Sequence, residues 1–191
     1  MATPLPVSLD EFKAHLNLST GTKESDAELT LHLTAATAAV EKRIGPLITR
    51  DFTEQVRGRN GAVTVNKTPL VSVTALTAVG GTSWDVTTLH GDPSGVITIA
   101  TGGRLPDGRY DVGYKAGRGD TASEDHKLAV LYVAEQLWEM QRGSVPRPAM
   151  FGVAARETAT SAQEAGYVYR GFALPRRALE LLSGDEEIGF A

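Results

Sequence analysis

The stretch TASEDHKLAVLYVAEQLWEMQR, residues 121–142, decides the fold of this chain. Its apolar residues recur at helical spacing, and at 100° per residue they form one continuous arc along a single long helix. That arc contains Val130, Leu131, Val133, Ala134, Leu137, Trp138 and Met140. Thr121 and Glu124 have the spacing of a capping box, and Gly143 follows as a stop signal. The pattern predicts a helix whose apolar arc, including Trp138, lies in the protein core.

The opposite face of this predicted helix is polar except for Leu128 and Tyr132, which stand one turn apart. Single exposed apolar residues are ordinary, but two on one face indicate that something covers that face. The pair could contact another part of the same chain, or it could contact a second subunit. We take Leu128 and Tyr132 as candidate interface residues.

Composition places the chain among ordinary soluble globular proteins. Its 191 residues are 41% hydrophobic and 22% charged, which is enough apolar sequence for one sizeable core or two small ones. No apolar run approaches the roughly 20 residues of a membrane span, and the start MATPLPVSLDEF lacks a secretory pattern, so we expect no membrane and a cytoplasmic location in the producing cell. The chain has no cysteine, a net charge of −4 and no basic stripe typical of DNA-binding domains.

Two further helices precede the middle of the chain. Ser8 with Glu11 predicts the start of a short helix over residues 9–16, and Ser25 with Glu28 predicts the start of a longer one over residues 26–44. The longer helix carries a single apolar stripe, formed by Leu29, Leu33, Ala36, Val40 and Ile44. We expect these two helices to pack with the helix at 121–142 into one core.

Between residues 50 and 118 the apolar period changes from 3.6 toward 2, and turn dipeptides such as Asn60-Gly61 and Asp107-Gly108 punctuate the sequence. Predicted strands cover residues 52–57, 62–65, 71–79, 83–86, 96–99 and 109–114. The fold class is therefore α+β, with a small helical bundle (1–49 and 119–142), an inserted antiparallel β region (50–118) and a C-terminal arm (143–191).

The arm combines a stretch of small and polar residues with an apolar, aromatic and basic segment. Pro146 and Pro148 interrupt the stretch of small and polar residues, and a short helix followed by the acidic tail 185–191 ends the chain. The apolar, aromatic and basic segment suits a docking arm that becomes ordered on a partner. Its candidate interface residues are Tyr167, Tyr169, Phe172, Leu174, Arg176 and Arg177.

A search for catalytic or metal-binding motifs is negative, so we expect no enzyme activity, no metal and no cofactor. His15, His32, His90 and His126 fall on separate predicted elements without metal-ligand spacing, and no GxSxG or phosphate-binding loop is present. Two other classes stay open: a small ligand-binding module, and a nucleic-acid-binding module. For the latter the candidates are two arginine pairs near predicted hairpin tips, Arg57 with Arg59 and Arg104 with Arg109.

The order of these features resembles the head-tail connector family of tailed bacteriophages, the adaptor or head-completion proteins. The segments that carry the resemblance are VSLDEFKAHLNL, IGPLITRDF, TPLVSVTAL, YKAG, KLAVLYVAEQLWEMQRG and LPRRALELL. The resemblance covers roughly residues 7–142, and LPRRALELL, which follows the arm, is also similar; the long arm departs from it. It implies a structural protein of the virion neck, commonly a ring of twelve copies. Such a ring would bind the portal, continue the DNA channel without sequence-specific DNA binding, and carry the next neck or tail-completion protein.

Overall fold

A computed structural model of the protein describes residues 4–21, 23, 25–141 and 174–184. The helices are α1 (Leu9–His15), α2 (Asp26–Ile44), α3 (Glu124–Gln141) and α4 (Arg176–Leu182), with one short 3₁₀ helix at Val86–Thr88. The strands are β1 (Arg50–Gly58), β2 (Val63–Thr64), β3 (Leu70–Ala78), β4 (Ser83–Trp84), β5 (Leu89–Gly91), β6 (Val96–Ile99) and β7 (Gly108–Ala116). The predicted α+β class is confirmed.

The strands form two antiparallel sheets. One has the order β1-β7-β3-β4, with the last predicted strand, β7, at its centre, and the other has the order β2-β6-β5. The predicted strand at 83–86 ends at Trp84, because Asp85 accepts a hydrogen bond from the Thr87 N–H and starts the 3₁₀ helix. Strand β5 was not predicted, since three residues ending in glycine are too few to show alternation.

The β region has its own hydrophobic core. Tyr110, Val112 and Tyr114 of β7 are fully buried and share one face, as their alternation predicts. They pack with a cluster of buried side chains from the neighbouring strands and loops, which comprises Val56, Val63, Val65, Leu70, Leu76, Ile97, Leu105 and Ala116. None of the described residues of the helical region belongs to this cluster.

A second hydrophobic core joins the helices. Side chains of α1, α2 and α3 meet in it, and Trp138 is 7% exposed among them, in edge contact with His32 of α2 at 5.9 Å. The assignment of Met140 to the buried arc was wrong, because its side chain is 58% exposed. Met140 lies in the last turn of α3, where no described element covers it.

Local capping was predicted correctly at one helix of three. At α1 the Ser8 hydroxyl accepts from the Glu11 N–H at 3.2 Å and the Glu11 carboxylate accepts from the Ser8 N–H at 2.7 Å, which forms the full capping box. The box predicted at Thr121 was wrong, since Ser123 is the residue whose hydroxyl accepts from the His126 N–H. Ser25 makes no capping hydrogen bond through its side chain.

The two segments that connect the helical core to the β core, one before β1 and one after β7, lie side by side. Arg50 donates two hydrogen bonds to Glu41, at 3.1 and 2.7 Å, and Arg118 donates to the Ile44 carbonyl at the end of α2. The backbone approaches itself closely here, because a Cβ at Gly117 would lie 2.5 Å from the Thr49 Cα. Arg118 therefore caps the C-terminus of α2.

Candidate interaction surfaces

The second face of α3 is covered partly by the same chain. The ring of Tyr132 is in edge contact with His15 of α1 at 5.9 Å, and the guanidinium of Arg177 lies over the same ring at 5.9 Å. Beside this contact His15 Nε2 lies 3.0 Å from the Glu135 carboxylate. Tyr132 thus contacts α1 and α4 of its own chain, and its contact with a second subunit stays a prediction.

Helix α4 packs onto the helical core. Ala178 and Leu182 are fully buried there, and Leu174 and Leu181 pack against the same cluster while partly exposed. A helix of seven residues is too short to be stable alone, so these contacts hold it in place. The described part of the predicted docking arm therefore docks on α3 of its own chain.

The predicted interface residues consequently separate into three groups. Tyr132, Leu174 and Arg177 contact their own chain, as described above. Leu128 is half-buried, and Arg176 has an 89% exposed side chain that pairs with Glu180 one turn away; for these two a contact with another chain stays a prediction. Tyr167, Tyr169 and Phe172 lie outside the described residues.

Helices α2 and α3 each carry one large apolar side chain that is mostly open to solvent and was missed as an interface candidate. Leu31 of α2 is 66% exposed, and Met140 of α3 is 58% exposed. The sequence could have indicated the exposure of Leu31, because this residue lies outside the apolar stripe of its helix, between Thr30 and the buried His32. Both residues are candidates for contacts between chains.

A cleft of about 600 Å³ lies where the end of α2 meets the segment between β2 and β3. Among the described residues that line it, Glu41 is the single carboxylate, and Arg50 and the Leu47 N–H already occupy its oxygens. No histidine lines the cleft. The one carboxylate of this cleft is therefore engaged in hydrogen bonds that hold the fold.

Polar networks elsewhere serve the fold. The Tyr114 hydroxyl donates to Glu54 at 2.8 Å and accepts from the Lys67 N–H at 3.2 Å, and burial followed by the Glu54 carboxylate raises the pKa of this phenol. Asp92 accepts from the Ser94 N–H at 2.8 Å, and hydrogen bonds with Ser94 lower the pKa of Asp92. Both groups stabilise loops or strands of the β region.

The described residues contain no group of histidine, aspartate and glutamate side chains that could hold a metal ion. His15 contacts Glu135 and Tyr132, whereas His32 contacts Trp138, so the structure does not bring these two histidines together. None of the helices in the described ranges combines the length and the hydropathy that crossing a bilayer requires.

The four arginines of the two predicted hairpin tips come together at one end of the β region. Arg57 of β1 lies directly opposite Arg109 of β7, and Arg59 follows at the turn that leads toward β2. Arg104 packs against Gly61 of that turn, since a Cβ on Gly61 would lie 3.0 Å from the Arg104 Cγ. The sequence showed two separate pairs, and the strand pairing makes them a single cluster.

Comparison with known proteins gives this chain a family. The family model described as head completion protein matches residues 7–143. A chain in the neck of the native GTA particle computed with C12 symmetry is 28% identical, with a TM-score of 0.60 and coverage of 92% of this chain and 97% of that one. A chain in the neck of the empty GTA particle computed with C6 symmetry is 25% identical, with a TM-score of 0.62, covering 96% and 92%.

A third similar chain belongs to the virion of the native gene transfer agent (GTA) particle. It is 25% identical, with a TM-score of 0.65, and the match covers 97% of this chain and 92% of that one. A search of curated proteins finds no match.

Proposed function

Because the chain belongs to the head completion protein family and is a structural protein of the virion neck, we propose that it assembles as a ring of twelve copies on the portal. In this position it continues the DNA channel and carries the next neck or tail-completion protein, so that it links head to tail. The observation that supports the proposal most is its similarity, over nearly its whole length, to a chain in a neck computed with C12 symmetry.

A cyclic ring needs two different surfaces on each protomer, because each subunit contacts its neighbours head to tail. The helical body offers exposed apolar side chains for this purpose, Leu31 on α2 and Met140 on α3. We assign them to contacts between subunits, since burying a large exposed apolar side chain against a neighbour stabilises an interface. Leu128 of α3 belongs to the same assignment.

Contact with the portal is assigned to the C-terminal segment. Its members are Arg176, together with Tyr167, Tyr169 and Phe172 from the part of the chain that precedes α4. Arg176 is 89% exposed through its side chain, and its pair with Glu180 is a surface salt bridge that stabilises the fold little. Its charge is thus available to an acidic portal surface, and the attraction should weaken as salt rises.

The test is the mass of the purified protein alone and after mixing with its portal, measured by native mass spectrometry. We expect the mixture to contain a portal complex with twelve copies of this chain. Arg176→Glu should weaken that complex, with no change in melting temperature, whereas Lys67→Glu, at an exposed position in the loop between β2 and β3, is the control and should assemble normally. A different copy number contradicts the stoichiometry, and the absence of any complex contradicts portal binding.

A further inference from the structure

The end of the β region carries a concentration of positive charge that the fold itself does not use. We call Arg57, Arg59, Arg104 and Arg109 the arginine tip. Residues 57–62 and 101–109 contain these four arginines and a single carboxylate, Asp107, although the whole chain has a net charge of −4. All four arginines are exposed. The negative charge of the chain therefore lies elsewhere, and this end is locally basic.

The arginine tip is held together by the backbone. Arg57 and Arg109 are direct partners in the β1–β7 register, where side chains on one face stand about 5 Å apart at Cβ. The turn after Arg59 is joined to the loop before β7 by the Gly61–Leu105 bridge and by a hydrogen bond of 3.1 Å from the Asn60 N–H to Asp107. The backbone positions from which the four arginine side chains extend are thus fixed before any partner arrives.

The cluster is unfavourable for the isolated chain. Like charges directly opposite each other on antiparallel strands destabilise the pair, and Arg57 and Arg109 are such a pair. In the part of the chain that the structure describes, none of the four side chains has an ion pair or a side-chain hydrogen bond. The nearby carboxylates are used otherwise, since Asp107 accepts from the Asn60 N–H and Asp111 accepts from Gln55. An anionic partner would remove this repulsion.

The surroundings of the tip discriminate between kinds of anionic partner. A protein interface needs buried apolar or aromatic anchors, whereas the loops of the tip present Thr-Gly-Gly at 101–103 and Pro-Asp-Gly at 106–108. Among the described residues the exposed apolar neighbour is Val79, whose N–H donates to the Arg109 carbonyl, and one valine is a weak anchor. A phosphodiester backbone can be bound by cations alone, and the planar guanidinium group of arginine can donate two parallel hydrogen bonds to one phosphate.

We propose that the arginine tip binds the phosphate backbone of duplex DNA without reading its sequence. The tip offers no aromatic platform on which bases could stack, since Tyr110 is buried and Trp84 packs against it at 5.4 Å. Binding is then electrostatic and releases counterions from the DNA. This proposal rests on the proposed function, which brings the chain close to DNA in the neck.

The test is fluorescence anisotropy with a labelled duplex of about 20 base pairs, at protein concentrations where mass measurement shows no ring. With four phosphate contacts, log K should fall against log salt with a slope of about −3.6, which weakens binding about 150-fold between 50 and 200 mM salt. Arg57→Gln with Arg109→Gln should halve the slope and reduce the salt effect to about 12-fold. The control pair Lys115→Gln with Lys67→Gln removes two exposed cations outside the tip and should keep the wild-type slope.

The Arg57→Gln, Arg109→Gln variant should melt at the same temperature as the wild type or higher, because the repulsion across β1 and β7 is gone. It should also form the portal complex normally, so its failure to bind DNA is distinguishable from a failure of ring assembly. Equal slopes for both pairs of variants, or no duplex binding at 50 mM salt, would overturn the proposal. Binding of polyglutamate as tight as binding of DNA would assign the tip to an acidic protein instead.

Discussion

Replacement of Leu182 by alanine tests whether α4 is part of the helical core. Leu182 is fully buried at the end of α4, in the same cluster as residues of α1, α2 and α3. The change removes three carbon atoms, worth about 2.4 kcal/mol at about 0.8 kcal/mol per buried methylene, and leaves a cavity that adds to the loss. We expect the free energy of unfolding to fall by about 3 kcal/mol, and the fall cannot exceed the free energy with which α4 docks on α3.

Leu179→Ala is the matched control, because Leu179 lies on the same short helix but is only half-buried and does not pack in the cluster. Leu179→Ala should lower the free energy of unfolding by less than about 1 kcal/mol. The assay is guanidinium unfolding followed by far-UV circular dichroism, together with thermal melting. For a chain of this size, about 3 kcal/mol lowers the melting temperature by about 6–12 °C.

Equal effects of Leu182→Ala and Leu179→Ala would refute the packing argument. They would show that in solution α4 is not held on the core, and that the segment is free to dock elsewhere. A large loss for Leu182 alone means that α4 is part of the folded monomer, which leaves contact with a partner to its exposed face.

Two further changes test the two cores separately. Trp138→Ala should destabilise the helical core by about 3–5 kcal/mol in chemical unfolding, whereas Met140→Ala, at a 58% exposed position, should change stability by about 0.5 kcal/mol or less; comparable losses would contradict the core assignment. Tyr114→Phe should cost about 1–2 kcal/mol at neutral pH by removing the hydroxyl that donates to Glu54. Folding raises the pKa of Tyr114 above its ordinary value of 10.0, so the contribution of this phenol to the free energy of unfolding is complete below pH 10 and is lost as the pH rises further. The melting temperature should therefore fall less steeply above pH 10 in Tyr114→Phe than in the wild type.

Local sequence patterns were sufficient for the longer elements. The apolar stripes of α2 and α3 and the alternation through Tyr110, Val112 and Tyr114 each repeat over several turns or strand residues, so their periods were clear. Errors occurred where the signal is short or ambiguous: strand β5 has three residues, and Ser123, not Thr121, caps α3. Boundaries depend on a few backbone angles, which residue type alone does not fix.

The sequence by itself determined the fold class, the helices with their buried stripes, and the absence of catalytic motifs, because these follow from periodicity and residue chemistry within a short window. Only the tertiary structure decided which long-range neighbours meet. It placed α4 on α3, with Leu182 buried, and it joined Arg57 and Arg109 across two strands that are about 50 residues apart in the chain. Such contacts depend on strand register and helix docking, whose free energies are summed over the whole core and are not encoded in any single segment.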